Sequence, residues 1–302
     1  MDPLSKLNPE TDTTISLIKS GIECGIDIWV SEPQDLSINN NMVYTLASNI
    51  FNYNFKKGKK IEKQLEEFDF YFIRQDPPFN MNYISNCYLL EIHKKNSQKP
   101  FFINDPSGIK NFTEKVFPLY FHNFMPNTLI TSNKVQFSKF LDKYKSVVIK
   151  PLYLKGGEGI EKVSSDKPNP VKTFNRILKN FKSPLVIQEF IEKVKFGDKR
   201  VILIDGNPHG VLNRVPKTGE FKANLHLGGK AEKSNLTKKE RNICNKLRPT
   251  LKKYNLFFVG IDLIGEQLTE INVTSPTGIN QINQLYELDL GSRIWKLLKK
   301  KI

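Results

Sequence analysis

Acidic side chains within two consecutive apolar segments could bind a divalent cation. Residues 259–264 carry Asp262, and residues 268–273, which follow a Gly-Glu-Gln turn, carry Glu270 and Asn272. Alternation along a β-strand puts Glu270 and Asn272 on one face, and a hairpin can bring Asp262 opposite them. Mg²⁺ prefers hard oxygen donors and is usually bound by one or two carboxylates together with substrate phosphates. The sequence therefore predicts a magnesium site, with an exposed strand face that carries solvated acids as the alternative.

A glycine-containing loop follows Lys150 at the end of another apolar segment. Beyond Pro151 the loop contains Gly156, Gly157 and Gly159, and glycines allow backbone N–H groups to close on phosphate oxygens. The spacing differs from the Walker pattern G-x-x-x-x-G-K-[ST], and no strand-GxGxxG-helix unit is present. Taken alone, the loop predicts either a phosphate-binding turn or an ordinary hairpin turn.

Two halves with different patterns of apolar residues must position these side chains. In the first half, a helix-like segment at 12–25 alternates with strand-like segments at 26–30 and 70–73. This alternation predicts an α/β N-terminal domain with a mostly parallel sheet over residues 1–119. The second half, residues 120–302, is predicted to be α+β with mostly antiparallel sheets. Its predicted elements are two helices, at 134–144 and 237–254, and five strands, at 146–149, 185–188, 200–205, 257–264 and 268–273.

The composition is that of an ordinary globular protein with a basic surface. Of the 302 residues, 25% are charged and 39% are hydrophobic, and the formal net charge is +15. A positive field of this size attracts nucleic acid, acidic lipid or phosphorylated small molecules. The lysines are spread along the whole chain, and no nucleic-acid-binding module is recognisable. We therefore expect a solvated lysine-rich surface and no nucleic-acid partner, with a basic nucleic-acid-binding protein as the minority alternative.

Cysteines, histidines and hydropathy exclude several other classes of protein. Cys24, Cys87 and Cys244 form no C-x-x-C or Cys/His cluster, so we expect reduced thiols rather than a zinc site or a disulfide framework. The four histidines show no metal-ligand spacing and are predicted to be surface or lid residues. No apolar run approaches the ~20 residues that span a bilayer, and no signal-peptide core is present. These observations predict a cytoplasmic protein without a membrane partner.

Six short motifs occur together in an order that resembles one known family. They are Arg-Gln-Asp-Pro-Pro-Phe, Lys-Pro-Leu, Gly-Gly-x-Gly, Gly-Asp-Lys-Arg, Asn-Arg-Val-Pro and Glu-Ile-Asn-Val-Thr-Ser-Pro-Thr. The chain resembles bacterial-type glutathione synthetase of the ATP-grasp superfamily over essentially its whole length, and residues 270–278 are the most specific block. The resemblance implies an ATP-grasp domain over residues 120–302, with a smaller lid subdomain at about 124–190 and a mobile loop at 217–230.

The resemblance implies an ATP-dependent ligase that forms glutathione from γ-L-glutamyl-L-cysteine and glycine. The implied reaction passes through an acyl phosphate and releases ADP and phosphate. Phosphoryl transfer needs mainly positioning and charge neutralisation, so no nucleophilic Ser, Cys or His is expected. The implied cofactor is Mg²⁺, with Mn²⁺ as a substitute, ATP is the co-substrate, and a homo-oligomer is implied.

The matching motif positions imply individual residue roles. Arg200 and Arg214 are implied to face the substrate carboxylate and the transferring phosphoryl group, and Asp262, Glu270 and Asn272 are implied to bind Mg²⁺. The residues implied to bind ATP are Lys115, Lys150, Gly156, Gly157, Gly159, Gln188, Glu189, Phe190 and Ile191. The residues implied to bind the other substrates are Arg74, Asp76, Asn224, Gly228, Gly229, Ser275, Pro276 and Thr277.

The chain departs from the family pattern at several positions. Leu154 stands where the family often has glycine, Gln75 replaces a usual lysine, and Lys222 replaces a usual arginine in the mobile loop. Lysine cannot make the planar bidentate contact of arginine. An apolar strand usually precedes the Met-Asp-Pro that begins here at Met1, so the N-terminal sheet is expected to lack its first strand.

Simpler interpretations stay open for some of these residues. Arg74 could pair with Asp76 at a strand end, and Arg214 could be a surface residue beside a turn proline. The runner-up function is another ATP-grasp ligase that adds an amino acid to a peptide or protein. The Arg-Gln-Asp-Pro-Pro-Phe motif argues against that function.

Overall fold

The structure of the protein is a computed structural model that describes residues 1–302, apart from the side chain of His226. The prediction for that histidine therefore lies outside the described residues. The first part of the chain, residues 1–119, contains the elements α1 (Thr13–Glu23), β1 (Trp29–Val30), β2 (Leu36–Asn39), β3 (Met42–Asn49), β4 (Ile61–Gln64), β5 (Phe70–Phe72), α2 (Met81–Asn96), β6 (Phe101–Ile103) and α3 (Pro106–Asn111).

Most strands of the first part pair antiparallel, so the prediction of a mostly parallel sheet is wrong. β3 pairs antiparallel with β1, β2 and β4, and within the described residues only β5 and β6 pair in parallel. Asn40 and Asn41 alone connect β2 to β3, and Asn40 has a φ of 55°. A two-residue connection can join only antiparallel strands. Of the strand predicted at 26–30, only the two residues of β1 pair in this sheet.

The second part contains two antiparallel sheets, as the sequence predicts. The smaller sheet has the order β7-β10-β8-β9, and the larger one has the order β13-β12-β11-β14-β15. The elements are β7 (Thr128–Thr131), α4 (Lys134–Tyr144), β8 (Ser146–Pro151), β9 (Glu161–Ser164), α5 (Pro170–Phe181), β10 (Leu185–Glu189), β11 (Asp198–Ile204), β12 (Asn207–Val215), β13 (Lys230–Lys233), α6 (Lys238–Lys253), β14 (Phe258–Ile264), β15 (Gln267–Asn272), α7 (Ile279–Tyr286) and α8 (Leu290–Leu298).

β14 and β15 form the predicted hairpin. Gly265 and Glu266 connect the strands, with φ values of 57° and 66°. Two consecutive residues with positive φ are typical of the turn whose twist matches that of a two-stranded ribbon. The turn pairs Ile264 with Gln267 and Leu263 with Leu268. A β-bulge at Thr269 then shifts the register, so that Asp262 lies opposite Glu270 and Gly260 lies opposite Asn272.

Helices cover both sheets and join the two ends of the chain. α4 and α5 pack on the smaller sheet through the stacked rings of Phe137 and Phe174, whose centroids are 4.6 Å apart. α1 is capped by Asp12, whose side chain accepts from the N–H of Thr14, and the helix packs against α8. Trp295 of α8 donates from Nε1 to the carbonyl oxygen of Leu17 at 2.8 Å. In the described part of the chain, no helix is both long enough and apolar enough to cross a membrane.

Candidate active site

A cavity of about 900 Å³ opens between the two sheets of the second part and the first part of the chain. Asp76 lines it from the first part, the 154–160 loop after β8 lines it from the smaller sheet, and Arg200 and Asp262 line it from the larger sheet. Asn224, from the 217–230 segment that precedes β13, closes another side. The cavity therefore brings together residues from all the regions that the sequence motifs identified.

The three predicted cation ligands lie side by side on the β14–β15 hairpin. Asp262 and Glu270 are directly opposite each other in the strand pairing. Asn272 donates from Nδ2 to Oδ2 of Asp262 at 3.4 Å and to the carbonyl oxygen of Gly260 at 3.3 Å. All three side chains line the cavity. The hairpin therefore brings together an oxygen-rich group of the kind that the alternation of its residues predicts.

Two arginines on neighbouring strands hold Asp262 in its charged form. Arg200 of β11 donates from Nε and Nη2 to the two carboxylate oxygens of Asp262, at 2.6 and 3.0 Å, and Nη2 of Arg214 lies 3.0 Å from Oδ1. Burial by itself would raise the pKa of Asp262, but the two arginines outweigh burial and hold the pKa below its usual range. Asp262 is therefore a carboxylate at any physiological pH.

Arg214 is shared between two buried carboxylates. Its Nη2 also donates to Oδ2 of Asp198 at 2.6 Å. Burial and the nearby charge of Asp262 raise the pKa of Asp198 to about 6, although Arg214 opposes that shift. Burial would lower the pKa of Arg214, but the two carboxylates raise it above the usual arginine value. The group is a compact ion-pair network at the floor of the cavity, and Arg214 is not the surface residue that the sequence allowed.

The hairpin ligands fit a hard divalent cation that also binds phosphate. Glu270 has Lys150 as its nearest cation, with Nζ 3.7 Å from Oε1, and both N–H bonds of the Asn272 amide point to protein acceptors, so its oxygen is left for a ligand. Among the described residues, no group of three or more His, Cys, Asp or Glu side chains could hold a metal ion. Two carboxylates and one amide oxygen match Mg²⁺, which completes its coordination with water and substrate phosphates.

Two buried lysines and the glycine loop form the opposite wall. Lys150 is the penultimate residue of β8 and is 8% exposed. Lys115 is 4% exposed and donates from Nζ to the carbonyl oxygen of Leu154. Gly156, Gly157 and Gly159 have φ values of 68°, 79° and 67°, a region that side chains other than glycine rarely adopt. A Cβ on Gly157 would lie 2.8 Å from Oδ1 of Asn224. The positive φ values are therefore what favours glycine in this loop, and the contact with Asn224 shows that the 217–230 segment packs closely on it.

The segment from Gln188 to Ile191 lines the cavity at the end of β10. The side chain of Gln188 donates to Oγ1 of Thr128 at 3.0 Å. The N–H groups of Glu189 and Phe190 donate to the carbonyl oxygens of Asn127 and Ser146. A purine that binds to this edge must therefore use other backbone groups of the segment, such as the N–H of Ile191.

Several predicted substrate-binding residues line the cavity directly. Asp76, Asn224, Ser275, Pro276 and Thr277 are all in its wall. Thr277 is held from one side, since its carbonyl oxygen accepts from Nη1 of Arg200 at 3.0 Å. The side chain of Asp76 is paired with Lys155 of the glycine loop, a loop residue to which the sequence had assigned no role.

Three other predicted residues lie outside the cavity wall. Arg74 is 4% exposed and donates to Oγ1 of Thr14 at 3.1 Å and to the carbonyl oxygen of Pro276 at 3.0 Å. It joins the first part of the chain to the 275–277 segment and does not pair with Asp76. Gly228 and Gly229 belong to the 217–230 segment but are not among the residues that line the cavity.

Two acidic residues of the site were missed by reasoning from the sequence. Asp198 belongs to the Gly-Asp-Lys-Arg motif, but only its arginine was assigned a role. Glu114 precedes Lys115 and also lines the cavity. Asp198 lies two residues before Arg200 and Glu114 lies directly before Lys115, so an acidic residue close in sequence to an assigned residue was the available signal.

Comparison with known proteins identifies relatives over the whole chain. Residues 1–110 match the family described as prokaryotic glutathione synthetase, N-terminal domain, and residues 114–287 match prokaryotic glutathione synthetase, ATP-grasp domain. The glutathione synthetase of Mesorhizobium japonicum is 36% identical over 307 aligned positions, which cover 100% of this chain and 97% of the relative. That of Bradyrhizobium diazoefficiens is 38% identical and covers 100% of this chain and 96% of the relative.

Solved structures with much lower identity share the fold. The D-cycloserine synthetase DcsG superposes with a TM-score of 0.66 at 13% identity, over 96% of this chain and 97% of that protein. The ATP-grasp ligase PsnB, solved with a precursor peptide and AMPPNP, superposes with a TM-score of 0.63 at 14% identity, over 99% of this chain and 95% of that protein. These similarities show an ATP-grasp fold.

Proposed function

The chain belongs to the prokaryotic glutathione synthetase family, and we propose that the cavity is its active site. The enzyme is an ATP-dependent carboxylate–amine ligase that joins γ-L-glutamyl-L-cysteine to glycine and releases ADP and phosphate. The observation that carries the assignment of the site is the grouping of Asp262, Glu270 and Asn272 with Lys150 and Arg200 around one cavity beneath the glycine loop.

The chemistry explains why the reaction needs ATP. A carboxylate resists attack by an amine because it is anionic and has a poor leaving group. Transfer of the γ-phosphoryl group of ATP to a carboxylate oxygen of the dipeptide gives an acyl phosphate and ADP. The amine of glycine then attacks the acyl carbon, the C–N bond forms, and the C–O bond to phosphate breaks. Glycine enters as an ammonium, so two protons leave its nitrogen; one ends on the released phosphate and one in solvent.

Lys115, Lys150 and the glycine loop are proposed to hold the phosphates of ATP. Phosphoryl transfer depends mainly on positioning and on neutralising charge, which buried lysines and converging backbone N–H groups supply. Both lysines are buried, so their charges are little screened by solvent. Lys115 already bonds to the carbonyl oxygen of Leu154, so it links the phosphates to the position of the loop.

Asp262, Glu270 and Asn272 are proposed to hold Mg²⁺, and the same hard oxygen donors also accept Mn²⁺. When bound, the cation neutralises charge on the phosphate oxygens. Two arginines offset the negative charge of Asp262 and occupy its oxygens, whereas Glu270 has only Lys150 nearby. Glu270 and Asn272 therefore offer the donors that are least engaged with protein groups.

Arg200 and Arg214 are proposed to stabilise negative charge where the phosphoryl group is transferred. Asp262 fixes the guanidinium plane of Arg200 through two hydrogen bonds, so the arginine is oriented before substrates bind. Groups oriented in advance in a water-poor site stabilise developing charge with little reorganisation. Nη1 of Arg214 is not used in its contacts with Asp198 and Asp262, which leaves it available to a substrate oxygen.

The dipeptide is proposed to lie between Asp76 and the 275–277 segment. Arg74 supports this subsite from behind through the carbonyl oxygen of Pro276.

Residues 217–230 are proposed to act as a lid, with Asn224 against the glycine loop and Gly228 and Gly229 as the flexible part. Excluding water would protect the acyl phosphate from hydrolysis. Homo-oligomeric assembly and the absence of a nucleic-acid partner stay predictions.

The proposal is tested by measuring ADP release with γ-L-glutamyl-L-cysteine, glycine, ATP and Mg²⁺, and by omitting each component in turn. Sustained turnover is expected only with the complete mixture, and glutathione should form in the same amount as ADP. ADP release that is equally fast without the dipeptide would overturn the assignment of the substrate. Activity that survives complete removal of divalent cations by a chelator would overturn the metal site.

A further inference from the structure

Glu114 has a fixed position in the cavity, just before Lys115. Its carbonyl oxygen accepts from the N–H of Ile271 on β15 at 3.1 Å, and its Oε1 accepts from Oγ1 of Thr274 at 2.8 Å. The backbone and the side chain are therefore both anchored beside the strand that carries Glu270. The second carboxylate oxygen has no protein donor among the described side chains.

Four other acidic side chains of the cavity already have cationic partners. Asp262 and Asp198 pair with arginines, Asp76 pairs with Lys155, and Glu270 lies 3.7 Å from Lys150. None of the ion pairs between described side chains includes Glu114. Burial raises the pKa of Glu114, against a smaller opposing effect of Lys115. The carboxylate therefore lacks a strong partner in the protein and would gain from a cationic one.

Glu114 lies where the two halves of the substrate site meet. On the phosphate side, it directly precedes Lys115 and its carbonyl oxygen accepts from the N–H of Ile271, the neighbour of Glu270. On the other side, its carboxylate accepts from Thr274, which directly precedes the 275–277 segment of the proposed dipeptide subsite. A group bound to Glu114 would therefore lie near the point at which a phosphorylated dipeptide carboxylate meets its nucleophile.

The charges of the substrates indicate what this carboxylate would bind. ATP and the carboxylates of the peptide and amino acid are anionic and suit the lysines and arginines of the cavity. The incoming amino acid carries an ammonium group, and a partly buried, hydrogen-bonded carboxylate is the natural partner for it. We propose that Glu114 binds the ammonium group of the incoming amino acid and positions its nitrogen beside the activated carboxylate. This proposal rests on the ligase function described above.

Glu114 acts in this proposal before the bond-forming step. The ammonium binds in its charged form, and its nitrogen must lose a proton before it attacks. After attack, the second proton leaves, so that amide, phosphate and one released proton balance the reaction. Glu114 therefore sets which amine is held in place and does not form a covalent bond itself.

The test compares glycine with hydroxylamine, which is largely uncharged at neutral pH and traps an acyl phosphate as a hydroxamate. In Glu114→Gln the amide oxygen still accepts from Thr274, but the charge is lost. We expect kcat/KM for glycine to fall roughly 10- to 100-fold, mainly through KM, as for loss of a hydrogen bond to a charged group. Hydroxamate formation from dipeptide and ATP should change by less than about threefold. Equal losses with both nucleophiles, or an unchanged KM for glycine, would overturn the proposal.

Two further variants separate this role from a structural one. Glu114→Asp keeps the charge but retracts it by one methylene group, so the ratio of glycine to hydroxylamine activity should lie between those of wild type and Glu114→Gln. If the glutamine variant fails to fold, an aspartate variant whose ratio equals that of wild type overturns the proposal. Glu192→Gln removes the same charge from a side chain that is 75% exposed, and its ratio should equal that of wild type. Dipeptide-dependent hydroxamate formation by the wild type tests the ligase function independently of Glu114.

Discussion

Replacing Arg200 by alanine tests the charge arrangement at the centre of the cavity. Arg200 donates to both carboxylate oxygens of Asp262 at 2.6 and 3.0 Å and to the carbonyl oxygen of Thr277 at 3.0 Å. Asp262 is only 4% exposed, so bulk water cannot replace the lost N–H groups. In the variant, Asp262 keeps the Asn272 amide at 3.4 Å and a single cationic partner, Arg214, whose Nη2 is 3.0 Å away and is shared with Asp198.

Arg200→Ala is expected to lower both the free energy of unfolding and the turnover. Removing one partner of a buried ion pair costs about 3–5 kcal/mol of unfolding free energy, and we expect the lower end because Arg214 still neutralises Asp262. Loss of an oriented stabiliser of transition-state charge lowers turnover on the order of 10²–10³-fold. The double variant Arg200→Ala/Asp262→Ala should be less destabilised than the sum of its single variants, because it leaves no unpaired buried carboxylate.

Urea-induced unfolding measures the loss of unfolding free energy. ADP release under conditions in which the variant is fully folded measures the loss of turnover. Arg176→Ala is a matched control, since Arg176 also bonds both oxygens of a carboxylate, that of Glu161, but its side chain is 53% exposed. This control should leave turnover unchanged. An Arg200→Ala protein with wild-type turnover and an unfolding free energy within about 1 kcal/mol of wild type, the value typical of surface pairs, would refute the reasoning.

Three further changes test separate features. Glu270→Gln removes a proposed cation ligand and should raise the Mg²⁺ concentration for half-maximal ADP release by roughly tenfold or more; an unchanged Mg²⁺ dependence would contradict the metal assignment. Asn104, which is 2% exposed, makes three hydrogen bonds of 2.7 Å to the backbone of Phe258 and Val273. Asn104→Ala should lower the unfolding free energy measured in urea by about 2–4 kcal/mol, because buried backbone groups lose their partners; a loss below about 1 kcal/mol would argue against this account. Burial raises the pKa of Cys87 to about 12 and that of Cys244 to about 11, so both stay neutral thiols and a thiol reagent at pH 8 should modify only the partly exposed Cys24 in the native protein. Modification of all three without denaturant would show that the two buried sites open readily.

The β14–β15 hairpin could be predicted from the sequence because its information is local. Alternation puts Glu270 and Asn272 on one face, and the two-residue turn forms the hairpin. The bulge that brings Asp262 opposite Glu270 was not predicted from the sequence. The same reasoning predicted α1, whose cap and apolar face lie within one short segment. The antiparallel sheet of the first part was missed because β3 pairs with three strands that precede or follow it, and the Asn40–Asn41 turn is a weak signal compared with a glycine-containing turn.

The amino-acid sequence by itself determined the family, the hairpin and the kinds of residue available for binding phosphate and a cation. The tertiary structure decided which charges meet: Arg200, Arg214 and Asp262 lie on different strands and form one buried network. It also decided that Arg74 supports the site from behind and that Glu114 enters the cavity without a cationic partner. Pattern and turn residues act over a few neighbours, whereas burial and ion pairing depend on segments that meet only when the whole chain packs, and the free energy of a charge depends on that environment.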